Sequence, residues 1–145
     1  VLLVGEGPHE AALRAQAEAL GIADRVQFAG ARDDVSALLP ALDVFALPSL
    51  TEGLSIALLE ACAAGLAIVA SEVGGNPEIV RDGVTGRLFA SGDGAALGAL
   101  LDGLLGDAEE RQRLGSAARD WVIAHASVEA MGAGYDRLYR EALDA

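Results

Sequence analysis

Short apolar runs alternate with helical stretches along this chain, and that alternation constrains its fold more than any other feature. Residues 1–4, 26–29, 43–47, 67–70 and 86–89 each fit a strand. Between them, residues 9–20 fit a helix ended by Gly21, and a second helix runs from a cap at Asp33 or Asp34 to about Ala41. Residues 55–64 form a third, and Asn76-Pro77-Glu78 has the chemistry of a helix start, with Asn76 as the cap. Strands interleaved with helices imply an α/β fold, a parallel sheet covered by helices on both faces. In such sheets ligands sit at the carboxyl ends of the strands, where residues 5–8, 30–32, 48–52 and 71–77 fall. Beyond Asp93 the pattern is helical: 95–105, then 108–126 capped by Asp107, then 128–143 capped by Ser127. Trp121, Tyr135 and Tyr139 lie there and are expected to pack helix against sheet.

The third helix is apolar or small on nearly every side, which predicts burial, and Glu60 is its only charge. Three and four residues away stand Ile56, Ala57, Ala63 and Ala64, so no local cation can pair with Glu60. A carboxylate desolvated there needs hydrogen-bond donors, either a distant Arg such as Arg81 or Arg87, or a hydroxyl-rich ligand. Glu52 precedes the helix in a loop opened by Pro48-Ser49, near the positive end of the helix dipole, where it can reach a cleft mouth.

Composition removes several function classes. A net charge of −12 argues against a nucleic-acid partner and against docking on anionic lipid. The longest apolar stretch, 56–70, is broken by Glu60 and Gly65 and does not approach a membrane span. The single cysteine, Cys62, leaves no internal disulfide, fits a reducing cytoplasm, and is expected to be a small core residue. His9 and His125 are isolated, so no metal site is expected. The chain opens directly on strand-like residues without a Met, as a piece of a longer polypeptide would.

Pro48-Ser49, then Glu52-Gly53-Leu54-Ser55, then Glu60-Ala61 resembles the paired-glutamate motif of retaining family 4 (group 1) glycosyltransferases, which have two Rossmann-like domains in the GT-B arrangement. Flanking blocks agree in order and spacing: Val4-Gly5-Glu6-Gly7-Pro8, the run from Arg25 to Gly30, the run from Ala64 to Ser71, Gly74-Gly75-Asn76-Pro77-Glu78, and Asp82-Gly83-Val84-Thr85-Gly86. The resemblance implies that residues 1–145 are a single nucleotide-sugar-binding domain, half of a GT-B architecture, with 107–145 as C-terminal helices within it. It implies a nucleoside diphosphate sugar as donor substrate, no metal or other cofactor, and an upstream acceptor-binding domain as partner. Glu60 would hold the two ribose hydroxyls, and Glu52, the catalytic residue, would contact donor-sugar hydroxyls and support a cationic sugar centre without acting as nucleophile. Backbone amides of Gly53, Leu54 and Ser55 would face sugar or diphosphate oxygens. Leu54-Ser55 replaces the family's usual Phe-Gly, which adds a side chain and a hydroxyl at that approach. Gly5 and Gly7 would form a tight turn beside the nucleotide, and the backbone at Ala31 and Arg32 would contact the base. Gly74-Gly75 either brings amides near the donor or is a loop needing positive φ. The family's diphosphate-meeting Arg and Lys correspond to sequence upstream of Val1.

Other readings stand beside this one. A module that binds a nucleotide sugar without catalysis fits the same residues. An epimerase of the same fold would carry Gly-Gly-x-x-Glu-Glu, whereas Gly74-Gly75 is followed by Asn76-Pro77-Glu78-Ile79. A nicotinamide dehydrogenase is disfavoured, since Glu10 and Ala11 stand where its third fingerprint glycine belongs.

Overall fold

The structure, a computed structural model, describes residues 1–144 and divides into two compact units, Val1–Val35 and Ser36–Ala145. The strands among the described residues pair in parallel, in two sheets, one within each unit.

In the first unit β1 (Leu2–Leu3) pairs with β2 (Gln27–Phe28), Leu2 opposite Gln27 and Leu3 opposite Phe28. The crossover between them is α1 (Glu10–Ala19). It ends as its sequence predicts, with Gly21 N donating to Glu18 O at 2.9 Å and Ile22 N to Ala17 O at 2.9 Å, the paired bonds of a Schellman turn. Arg14 pairs with Glu10 one turn earlier, and its guanidinium lies 4.1 Å from the centre of the Phe28 ring.

The next helix is shorter than expected. One turn, α2 (Val35–Leu38), passes into a 3₁₀ turn over Leu39–Ala41. Pro40 cannot donate an amide and crowds the carbonyl four residues back, so the α-helical ladder stops there. Asp34 directs its carboxylate to Arg32, in two bonds of 2.6 and 2.7 Å.

In the second unit the strand order is β3 (Val44–Leu47), β4 (Ala67–Ser71), β5 (Arg87–Phe89). All five residues of β4 are buried, so both faces of this central strand are covered. Ala67, Val69 and Phe89 form a core with Leu104 of α5 (Gly94–Gly106) and Leu114 of α6 (Ala108–Ala126). Asp107 caps α6 through Glu110 N at 2.9 Å, and Ser127 caps α7 (Val128–Leu143) through Ala130 N at 3.1 Å, both as expected. Arg111 closes the other side of the α5–α6 junction by donating to Leu104 O and Leu105 O, carbonyls in the last turn of α5.

Two expectations are corrected. Asn76 is not a cap: it is the first residue of α4 (Asn76–Ile79), Gly75 precedes it as the cap, and the fully buried Asn76 amide donates to Ser71 O at 2.9 Å. The tyrosines do not fill a core. Tyr135 and Tyr139 stack on each other along an α7 that buries no residue, while Trp121 is half-buried and stacks on His125. Cys62 is buried as expected, and burial pushes its thiol up to about 11.

Candidate functional site

The helix that carries Glu60 is α3 (Ile56–Ala63). It buries a single stripe, Leu58, Ala61 and Cys62, not its whole circumference. The opposite stripe is exposed: Ile56, Ala57, Glu60 and Ala63. Glu60 is therefore a surface carboxylate, and the expectation that it is desolvated is corrected. The other half of that reading stands apart from burial. Among the described residues Glu60 forms no ion pair; Arg87 is held by Asp82 at 3.0 Å, and Arg81 pairs with no carboxylate. Asp82 also accepts from Leu88 N at 2.9 Å, and that bond, with Arg87 beside it, holds its carboxyl below the usual range.

Ser55 ends the loop and starts the helix. Its hydroxyl, buried at 6 % exposure, accepts from Leu58 N at 3.2 Å. The hydroxyl that Ser55 adds relative to the family's usual glycine is thus the N-cap of α3. Ser55→Ala is expected to lower unfolding free energy by about 1 kcal/mol in a urea titration, with no change in slope. The backbone amides of Gly53, Leu54 and Ser55 donate to no protein group among the described residues. They lie at the positive end of a helix dipole, the arrangement that receives anionic oxygens.

Glu52 is half-buried and anchored. The Ser49 hydroxyl donates to its Oε1 at 2.7 Å. Its backbone rests against the loop after β4: Gly75 N donates to Gly53 O at 2.9 Å, and a Cβ on Gly74 would stand 1.8 Å from Glu52 O. Gly74-Gly75 therefore serves as the close-packed support of the Glu52 loop, with Gly74 at φ +51°. Sequence reasoning left the role of these glycines open and gave none to Ser49, Ser71, Ser91 or the Asn76 amide. A serine at the end of a strand, or just past it, was the available signal for the first two.

In the first unit the two expected loops meet. Gly5, at φ +124°, donates its amide to Gly30 O at 2.8 Å, which sets Gly5 and Gly7 beside Ala31 and Arg32 at the carboxyl ends of β1 and β2. The Arg32 side chain is committed to Asp34, so its backbone remains as the group to offer. The cavity of about 550 Å³ in this unit, lined by Val1, Leu2 and residues 24–27, opens at the other ends of the same strands. It is not this site. Among the described residues no three His, Cys, Asp or Glu side chains gather as a metal site, and no helix is long and apolar enough to cross a membrane.

Residues 1–121 match the family described as "Glycosyl transferases group 1". The chain belongs to this family. It is 35 % identical over 143 residues to N-acetyl-alpha-D-glucosaminyl L-malate synthase of Bacillus anthracis, covering 99 % of this chain and 38 % of that protein. It is 38 % identical over 136 residues to the GDP-mannose-dependent alpha-(1-6)-phosphatidylinositol monomannoside mannosyltransferase of Mycobacterium tuberculosis, covering 86 % of this chain and 34 % of that one. Among solved structures it resembles Anabaena HepE in complex with UDP, with a TM-score of 0.82, 28 % identity and coverage of 99 % of this chain and 40 % of HepE. The sucrose-phosphate synthase of Thermosynechococcus elongatus gives a TM-score of 0.85 at 29 % identity, covering 99 % and 38 %. The group 1 chain thus spans less than half the length of each of these four relatives, and its helix-covered parallel sheets are those of GT-B glycosyltransferases.

Proposed function

We propose that this chain is the donor-binding half of a retaining glycosyltransferase that moves a hexose from a nucleoside diphosphate sugar. The observation that carries the reading is Glu60: an exposed carboxylate that forms no ion pair among the described residues, on a helix preceded by the unpartnered amides of Gly53, Leu54 and Ser55. An ionised carboxylate accepts from both members of a vicinal diol, the pattern a ribose offers. HepE is also known in complex with UDP-glucose, which supports the substrate class.

In this reading Glu60 holds the ribose, and Glu52 meets donor-sugar hydroxyls and stabilises positive charge as the glycosidic bond loosens. The open amides of Gly53, Leu54 and Ser55 take sugar or diphosphate oxygens. Charge on the departing diphosphate grows through the transition state, so donors fixed in advance act most strongly there. The remaining length of such a polypeptide supplies the acceptor site and further cations, and the reaction takes place in the cytoplasm. No divalent ion takes part, because Mg²⁺ is usually bound through one or two carboxylates together with phosphates, and Glu52 and Glu60 are engaged with sugar hydroxyls.

Calorimetry with UDP-, GDP- and ADP-sugars, each with and without excess chelator, tests the proposal. One of them is expected to bind more tightly than NAD, with affinity unchanged by chelator. Equal binding of the dinucleotide would overturn the substrate class. A tenfold loss in chelator would overturn the metal-free arrangement.

A further inference from the structure

Beneath the Glu52 loop the three strand ends of the second unit are tied together by hydroxyls. Ser71, the last residue of β4 and fully buried, donates through Oγ to Ser49 O at 2.7 Å and lies 3.4 Å from Leu47 O at the end of β3. Ser91, just beyond β5, donates to the same Ser49 carbonyl at 3.2 Å. The Ser71 carbonyl is in turn held by the Asn76 amide at 2.9 Å. Asn76 Oδ1 is buried without a partner, so that side chain satisfies Ser71 and leaves its own oxygen unpaired. Leaving a buried acceptor unmatched is unfavourable, and the arrangement persists because the rest of the network fixes it.

The order of contacts has a direction. Asn76 holds Ser71, Ser71 and Ser91 hold the Ser49 peptide, and the Ser49 hydroxyl holds Glu52 Oε1 at 2.7 Å. Ser49 is the only member that touches Glu52 by a side-chain bond among the described residues. Its carbonyl takes two hydroxyl donors, so the peptide that carries its side chain is fixed. A hydroxyl on a fixed peptide holds a carboxylate in one rotamer better than one on a mobile loop does.

We propose that Ser71 is a positioning residue that sets the orientation of the Glu52 carboxylate through the Ser49 peptide, and so sets recognition of the donor's sugar rather than of its nucleotide. This rests on the donor-binding reading of Glu52. Glu60 lies outside the relay, so nucleotide affinity is independent of Ser71.

The test is the ratio of affinities for a nucleoside diphosphate sugar and for its nucleoside diphosphate, measured for the parent, Ser49→Ala, Ser71→Ala and the double variant. Ser71→Ala is expected to reduce that ratio about fivefold, the effect of one hydrogen bond, while nucleotide affinity stays within about twofold. The double variant is expected to match Ser49→Ala alone, because the relay is already cut at its last link. Additive losses, or a Ser71→Ala ratio equal to the parent's, would overturn the relay. A parent that does not distinguish sugar nucleotide from nucleotide, or binds neither, would instead overturn the donor reading and the relay with it. Should Ser71→Ala fail to fold, Ser91→Ala cuts the same carbonyl from an exposed position, and an unchanged ratio there overturns the relay equally.

Discussion

Gly74→Ala is expected to destabilise the chain by about 2–5 kcal/mol and to abolish discrimination between a sugar nucleotide and its nucleotide. Two effects add. Gly74 sits at φ +51°, a region that costs an L-residue about 1–2 kcal/mol. Its new Cβ would also stand 1.8 Å from Glu52 O and 2.7 Å from Glu52 C, both backbone atoms that no rotamer change can move aside. One loop must shift, and the loop against it carries Glu52. Gly83 separates the terms, since it has φ +72° and no atom within 4 Å of an added Cβ. Gly83→Ala should show the conformational term alone, about 1–2 kcal/mol, and leave ligand discrimination intact. Denaturant titrations at matched slope, with calorimetry on both variants, make the comparison. Equal destabilisation of the two would mean that the Gly74 contact is readily relieved and that the Glu52 loop is not built on it.

What could be read from the sequence was local. α6 and α7 fall at the expected residues because Asp107 and Ser127 each supply an oxygen to an amide three positions on, a relation visible within one helical turn. The Ser55–Ala64 segment was equally legible as a helix, but not its burial. An Ala-rich helix is apolar on nearly every side, and composition does not record which side is covered; here Leu58, Ala61 and Cys62 are buried, and Glu60 faces out. Asn76 before Pro77 matches a cap, yet the same amide can donate to a carbonyl five residues back, and only the fold of the β4 loop decides between them. The hydroxyls under Glu52 were out of reach for a related reason. Ser71 and Ser91 meet Ser49 across 22 and 42 residues of chain, and nothing in a serine's neighbours announces a contact at that range. The motif thus located Glu52 and Glu60, and tertiary structure alone supplied what holds Glu52 still.

Glu60→Ala is expected to cost about 2–4 kcal/mol of nucleoside diphosphate binding, a loss of roughly thirtyfold to a thousandfold, with the unfolding midpoint unchanged. The stability half follows from exposure: the Glu60 carboxylate forms no ion pair or hydrogen bond among the described residues, so removing it breaks neither, and Ala is the stronger helix former. The binding half follows from the two charge-assisted bonds that the proposal gives Glu60 with the ribose diol. Glu60→Gln separates charge from shape. It keeps one carbonyl acceptor and places a donor where the second hydroxyl points, so an intermediate loss is expected. The decisive ligand is a 2′,3′-dideoxy nucleoside diphosphate, which lacks both hydroxyls. It should bind the parent as weakly as the ordinary nucleotide binds Glu60→Ala, and it should be indifferent to the substitution. If the dideoxy ligand loses as much affinity as the natural one on Glu60→Ala, the carboxylate acts somewhere other than the ribose, and the assignment of Glu60 fails even though the family does not.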